Sequence, residues 1–248
     1  MISTSVAPKP EAKPTVALPV VEAYDLWAKT YDSDGNVLQL LDDELVDGVL
    51  PELLSKPLGT ILDLGCGTGR NTAKLLRYPA IKQIFGLDAT PAMLSQARIR
   101  LQDPRLHLAQ YDIIADSPPS TSLLPPALDA ALSTLVIEHL PALPAFFARM
   151  HAMLRPGGWL LVTNMHEDMG AVTGAGFVDA RGTRVTTDKF AHTVAEVVAA
   201  AIACGFELLD APMVRRVEDE EHAAALGCRA GKWIRVNMLY GMVFVKTG

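Results

Sequence analysis

Hydrophobic and polar positions divide the chain into a polar N-terminal stretch, a helical stretch, and a long alternation of short apolar runs with amphipathic segments. The first nineteen residues, MISTSVAPKPEAKPTVALP, hold four prolines and no sustained apolar run. Residues 1–19 therefore read as a flexible tail, with too little apolar surface to offset their ordering entropy; a lid that orders over a ligand is the alternative. They also lack the apolar region of a secretory signal. From Val20 to Lys56 the periodicity is helical and breaks at Asp34-Gly35-Asn36, which predicts two helices and a turn.

Beyond residue 56 strands and helices alternate. Thr60–Leu64, Gln83–Asp88, Leu106–Tyr111, Leu128–Ser133 and Trp159–Thr163 are short apolar runs of strand length. Between them, Arg70–Arg77, the segment opened by Thr90-Pro91 and running to Leu101, and Leu143–Leu154 read as helices, the last stopping at a turn over Arg155-Pro156-Gly157-Gly158. Met165 to Val185 reads as a Gly-rich loop of the length usually kept for function. Asp188–Ala203 reads as an amphipathic helix, with Phe190, Val194, Val197, Val198, Ala201 and Ile202 on one face and Gly205 at its stop. Phe206–Leu209 and Leu239–Val245 are the last two strands. Such alternation predicts an α/β fold with a parallel sheet covered on both faces, and ligands at the carboxyl ends of the strands.

Composition narrows the partners. A net charge of −6 argues against a nucleic-acid groove or an anionic membrane surface as the main partner. No apolar run reaches the roughly 18 residues of a membrane helix. The three cysteines, Cys66, Cys204 and Cys228, have neither disulfide-framework nor zinc-site spacing, so a reducing, cytoplasmic compartment and no metal are expected.

The chemistry gathers after the first strand, in ILDLGCGTG. Gly65, Gly67 and Gly69 follow a buried strand, as in nucleotide-binding loops, but Arg70 stands where the third glycine of a dinucleotide loop belongs. No Gly-Lys-Ser/Thr follows, so this is not a triphosphate loop. Asp63 inside the motif is poorly placed beside phosphates and well placed beside an ammonium group. Asp88 closes the second strand, where an acid accepts hydrogen bonds from both ribose hydroxyls. Asp112 follows the third, within reach of an exocyclic amine. Each of the three is also a natural cap or turn former; their coincidence beside a glycine loop favours a nucleoside ligand with a cationic end.

DLGCGTG, GLDATPAML, QYD, LDAALSTLVIEHL and LRPGGWLLVTN together resemble the ordered motifs of class I S-adenosylmethionine-dependent methyltransferases, over about Ala23 to Val245. The likeness is to ubiquinone-type and natural-product members. It implies a Rossmann-like, seven-stranded, mostly parallel sheet whose antiparallel last strand lies between the fifth and sixth, in one domain over 20–248 with a helical cap at 20–56. It implies S-adenosyl-L-methionine as cofactor. Asp63 and the loop carrying Gly65, Cys66, Gly67 and Gly69 would take the methionine portion, and Tyr31 in the cap would face it. Asp88 would take the ribose and Asp112 the adenine amine, with Ala89, Met93 and Ile113 flanking the adenosine and Ser133 also at the cofactor. Trp27 and Tyr31 serve equally well as helix-to-core packing.

The implied reaction is transfer of an activated methyl group to O, N, C or S of a small aromatic or natural-product-like acceptor, with most of the rate from orientation. A base is needed only where the acceptor arrives protonated. His139 and His166 both follow strands at the productive edge and are the candidate bases; packing near the cofactor and lining of the substrate loop are their plainer roles. His192 is expected in solvent, and His107 and His151 to be structural. Trp233 and Tyr240 offer pocket walls or edge-strand packing. Asp116-Ser117-Pro118-Pro119-Ser120 superficially resembles the Pro-Pro motif of methyltransferases acting on planar amines, but it lacks the aromatic and precedes the fourth strand, so it reads as a loop. A non-methylating reaction on the same fold, such as a cyclisation, and a non-catalytic partner subunit remain alternatives; oligomeric state is open.

Overall fold

A computed structural model describes residues 14–115, 119–120 and 122–248; the Pro-Pro segment at 116–120 lies largely outside them. The chain runs β1 (Thr15–Leu18), α1 (Val20–Trp27), α2 (Val37–Leu53), β2 (Thr60–Leu64), α3 (Arg70–Leu76), β3 (Gln83–Asp88), α4 (Pro91–Arg100) and β4 (Leu106–Gln110). It continues through β5 (Leu128–Thr134), α5 (Leu143–Met153), β6 (Leu154–Met165), α6 (Glu167–Gly170), β7 (Gly176–Val178) and β8 (Arg184–Thr187). The remainder is α7 (Val194–Ala203), β9 (Phe206–Leu208), β10 (Met213–Arg216), α8 (Glu220–Leu226) and β11 (Asn237–Lys246).

The main sheet has the order β10-β11-β6-β5-β2-β3-β4, with β9 also on β11. Strands β2 to β6 are mutually parallel, and β11 is antiparallel to β6 and to both β9 and β10. The expected antiparallel last strand is thus present between the fifth and sixth. The sheet has eight strands rather than seven because the sixth position is shared by β9 and β10, each short and each paired to a different stretch of β11. Its interior is apolar as a two-sided parallel sheet requires: Leu62, Ile84, Ala131, Leu132, Leu160, Leu161 and Val162 are fully enclosed.

Strand order reverses between β2 and β5: the chain leaves β2 toward β3 and β4, then returns to the other side of β2. The loops after β2 and β5 flank that switch point, where open α/β sheets take their ligands.

Four expectations change. Residues 15–18 are not tail: β1 pairs in parallel with β8, from Thr15 with Arg184 to Leu18 with Thr187. The stretch from Met165 to Val185 is not one loop but α6 and the β7–β8 hairpin, so β1, β8 and β7 make a second, three-stranded sheet. Arg155–Gly158 do not end a helix in a free turn; they bulge within β6, where the β5 register jumps from Leu128–Leu154 to Ala130–Trp159. Helix α7 starts six residues late, at Val194, because Thr193 and Glu196 form a capping box there; this leaves Phe190 off the helical face and more than a third exposed.

Candidate functional site

The glycine loop turns directly out of β2. Gly65, Gly67 and Gly69 all have positive φ (73°, 55° and 83°), and the Gly65 and Cys66 amides donate to the Leu87 carbonyl at 2.7 and 3.0 Å. Two of these glycines have different reasons. A Cβ on Gly65 would lie 2.2 Å from Val136 Cγ2, so the loop packs against the segment after β5. A Cβ on Gly67 would meet nothing within 4 Å. Gly67 therefore offers bare backbone to open space, as the close approach of a ligand demands.

Asp88 braces this loop. Its Oδ2 accepts from the Gly67 amide at 2.8 Å and its Oδ1 from the Thr90 amide at 2.8 Å. Thr90 holds the N-cap position of α4 as expected, yet its side chain makes no cap bond. Burial raises the Asp88 carboxyl against these amide bonds, which lower it. Asp63 is 1% exposed, accepts from Thr72 Oγ1 at 2.6 Å through Oδ2, and has no partner for Oδ1 among the described residues. Burial pushes its carboxyl up to about 6. Ser133, at the end of β5, is equally enclosed with an unpartnered Oγ. Asp112 accepts from the Ile114 and Ala115 amides, forming a turn after β4. Met93 and Ile113 are buried and Ala89 half-buried; Cys66 is enclosed, and its thiol is pushed well up by burial.

The cap closes on this edge through named contacts. Asp25 Oδ1 accepts from the Ala92 amide at 3.0 Å, and Asp32 Oδ1 from Thr68 Oγ1 at 2.8 Å, with Arg100 also on Asp32. Arg70, the residue in place of a third glycine, bonds Asp42 at 2.5 Å and Asp43 at 2.7 Å on α2. Asp42 is fully buried and also takes bonds from Asn71 and Thr163. This network was not legible in the sequence, although Arg70 immediately after the loop was the clue.

A cleft of 1420 Å³ opens beside the switch point. Tyr24, Trp27 and Tyr31 of the cap line one wall, Phe177 of β7 and Trp233 another, and Leu135, Glu138, Met165 and Met169 the strand-end side. Trp27 stacks on Phe177 with centroids 5.1 Å apart. The β1–β8–β7 sheet thus forms part of the wall of the cleft.

Neither candidate base lines the cleft directly. His139 Nε2 lies 2.9 Å from Tyr24 Oη, which does line it, and burial lowers the imidazole to about 4. A base that weak stays neutral at physiological pH and takes a proton poorly. His166 caps α6, its Nδ1 accepting from the Asp168 amide at 3.1 Å. His192 is not in free solvent: it is half-buried, with Nε2 2.8 Å from the Leu140 carbonyl oxygen. His107 stacks on Phe85, and His151 packs edge-on to Phe206. Tyr240 is fully buried within β11, while Trp233 lines the cleft. A cleft residue that the sequence did not single out is Glu138, buried, with its Oε2 enclosed and without a partner among the described residues. Its signal was an acid four residues beyond β5, in the turn over Ile137–His139, masked by its histidine neighbour.

Comparison with known proteins agrees with this geometry. Residues 62–160 match the family described as a methyltransferase domain. An uncharacterised methyltransferase of Emericella nidulans is 40% identical over 258 aligned positions, covering 90% of this chain and 89% of that protein. A trans-aconitate 2-methyltransferase of Deinococcus radiodurans is 35% identical over 117 residues, 47% of this chain and 41% of its own length, so that likeness covers under half of either protein. Among solved structures, an S-adenosylmethionine-dependent methyltransferase from Listeria monocytogenes superposes with a TM-score of 0.63 at 17% identity, covering 85% of this chain and 100% of that one. The unpartnered Asp63 oxygen, the bare Gly67 backbone and the acids closing β2 and β3 fit a nucleoside with a cationic end, and the chain belongs to the class I S-adenosylmethionine-dependent methyltransferases.

Proposed function

We propose that this enzyme transfers the methyl group of S-adenosyl-L-methionine to a small-molecule acceptor held in the cleft between the cap, the β1–β8–β7 sheet and the carboxyl ends of β5 and β6. The observation that carries this reading is the cleft itself: 1420 Å³, with aromatic side chains from α1 and β7 and Trp233 along two walls.

In this reading Asp63, Gly65, Cys66, Gly67 and Gly69 hold the methionine portion with Tyr31. Asp88 takes the ribose, and Asp112 takes the adenine amine. Ala89, Met93, Ile113 and Ser133 complete the adenosine site. The cofactor supplies a methyl group already activated as a sulfonium. The protein's task is then orientation and exclusion of water, which proximity alone makes worth several orders of magnitude. His139 and His166 act as positioning residues, His139 by holding the Tyr24 hydroxyl. The aromatic walls favour an aromatic or natural-product-like acceptor.

A second reading, an acceptor that also bears an acidic group, is favoured by one observation. Lys29, Arg184, Arg229 and Lys232 line the cleft and form no ion pair among the described residues, in a protein of net charge −6. The partial relatives named for trans-aconitate carry the same expectation.

The test is incubation with isotopically labelled donor and a fractionated metabolite extract. Label should appear in a small product, and acidic fractions should be enriched on the second reading. Confirmed donor binding with no transfer across all fractions would remove the proposal. A product isobaric with its substrate would favour a non-methylating reaction.

A further inference from the structure

We propose that β1 is a strap: it ties α1, which covers the donor side of the site, to the β7–β8 hairpin, which walls the acceptor side, so that donor binding closes both together. The inference rests on the reading of the cleft as the acceptor site. Only Pro19 separates β1 from α1. Strand β1 pairs with β8 along its length: the Arg184 amide donates to the Pro14 carbonyl at 2.8 Å, and Thr186 Oγ1 donates to the Val16 carbonyl at 3.4 Å. Ala23 and Trp27 of α1 bury against Phe177 of β7 and Val185 of β8, in a small core separate from the larger apolar clusters of the main body. Lys189 Nζ, just after β8, donates to the carbonyls of Gly170 and Thr173, just before β7, so the two stems of the hairpin are joined. Helix α1, β1 and the hairpin are therefore built as one unit. Without β1, α1 and the hairpin would meet through side chains alone.

Polar contacts seat this unit on the main body. Tyr24 Oη lies 2.9 Å from His139 Nε2, Asp25 Oδ1 accepts from the Ala92 amide at 3.0 Å, and Asp32 Oδ1 accepts from Thr68 Oγ1 at 2.8 Å. Thr68 belongs to the glycine loop and Ala92 to the first turn of α4, so the cover is pinned to the two segments that frame the donor position. Single hydrogen bonds at a partly exposed seam are weak, whereas the interior of the unit is apolar and enclosed. The seam is where the structure opens at least cost. A donor lying between the glycine loop and the cover adds contacts in the closed state only, and so favours it. Because β1 links cover and hairpin, the same step brings Phe177 to the cleft wall. Donor and acceptor sites are then coupled through one element with two positions, and each ligand strengthens the binding of the other.

The test is amide hydrogen exchange of the full chain with and without S-adenosylhomocysteine. With the ligand about a hundredfold above its Kd, the amides of α1 and those paired between β7 and β8 should all exchange about a hundredfold more slowly, the factor mass action sets when opening releases the ligand. Two proline variants one residue apart isolate the strap. The Arg184 amide on Pro14 sets the phase of the parallel ladder, so the Val16 amide faces β8 and the Ala17 amide faces away. Val16→Pro should leave α1 protected by the ligand but return β7 and β8 to their unliganded rates. Ala17→Pro, on the open edge, should keep the wild-type pattern. Deleting residues 1–18 removes the strap outright and should match Val16→Pro; unchanged exchange in β2 and β5 shows that each variant is folded. Protection of α1 without the hairpin in the wild type overturns the proposal. So does ligand protection of the hairpin that survives in Val16→Pro or in the deletion. Calorimetry of S-adenosylhomocysteine in the same samples separates the two readings: no binding by the wild type removes the donor site, while binding without joint protection removes the strap alone.

Discussion

Asp88 and Asp63 close adjacent strands and are both acids, yet their surroundings give them different work. Asp88 has both oxygens engaged by backbone amides, so it shapes the loop. Asp88→Ala should weaken donor binding by about 1–3 kcal/mol, roughly a factor of 10 to 100, measured by calorimetry. Unchanged affinity would show that Asp88 does no more than brace Gly67. Asp63 keeps one oxygen empty and titrates near 6 because it is buried. A cationic donor end binds its ionised form, so donor affinity should climb from pH 5 to 7 and then level off. Asp63→Asn should flatten that climb. A profile of the same slope in the variant would detach Asp63 from the cofactor. Both acids were legible from strand-end position alone. The empty oxygen was not, because which oxygen is satisfied depends on Thr72, nine residues away on the next helix.

At the scale of elements, the parallel strands and their order of chemistry were readable, because buried strands announce themselves as short apolar runs bounded by glycine, proline and aspartate. What failed was local and has a common cause. Strands β1, β7 and β8 are three or four residues long, and β1 pairs with a segment almost 170 residues away. No window of sequence carries such a pairing, and Thr15–Leu18 sits next to a proline-rich stretch that reads as tail. The late start of α7 was legible in principle: Thr193 and Glu196 have capping-box spacing, but the apolar period continues back to Phe190 and hides it. The docking of α2 on the glycine loop depends on the buried Asp42 carboxylate between Arg70, Asn71 and Thr163. Removing one partner of such a group leaves the others uncompensated. Asp42→Ala should therefore destabilise the protein by about 3 kcal/mol, or roughly 6–12 °C in melting temperature for a chain of this size. Asp43→Ala, on the exposed side of the same pair, should lose much less. Equal losses for the two would mean that the Asp42 network does not hold the cap.

At the scale of the whole molecule, the site is a place where the fold is less stable than it could be. Asp63 and Glu138 are buried acids on one edge of the sheet, raised to about 6 and about 8 from ordinary values of 3.8 and 4.5. A carboxyl raised in the folded state holds its proton while the unfolded chain has already released it. Its stabilising contribution is complete below the unfolded value and is lost as pH rises through the folded one. The windows are therefore about pH 4 to 6 for Asp63 and about pH 4.5 to 8 for Glu138. Asp43 and Asp129 have the opposite sign: Arg70 and Lys74 hold Asp43 below its usual range, and Arg155 with the Gly59 and Thr60 amides holds Asp129 there, so their stability is lost only as pH falls below about 4. The two effects occupy different ranges. The ligand-free protein should melt at progressively lower temperature from about pH 6.5 to pH 8.5, as followed by circular dichroism; below pH 6.5 buried His139, held down to about 4, contributes a slope of the opposite sign. Glu138→Gln should remove most of the fall between pH 6 and 8, and Asp63→Asn about half of what the two acids contribute between pH 5 and 6, where their windows overlap. Saturating S-adenosylmethionine should raise the melting temperature more at pH 8 than at pH 5.5, since its positive charges favour the ionised carboxyls that folding alone disfavours. A melting profile with the same slope in wild type and both variants would mean that neither acid is desolvated as the packing requires.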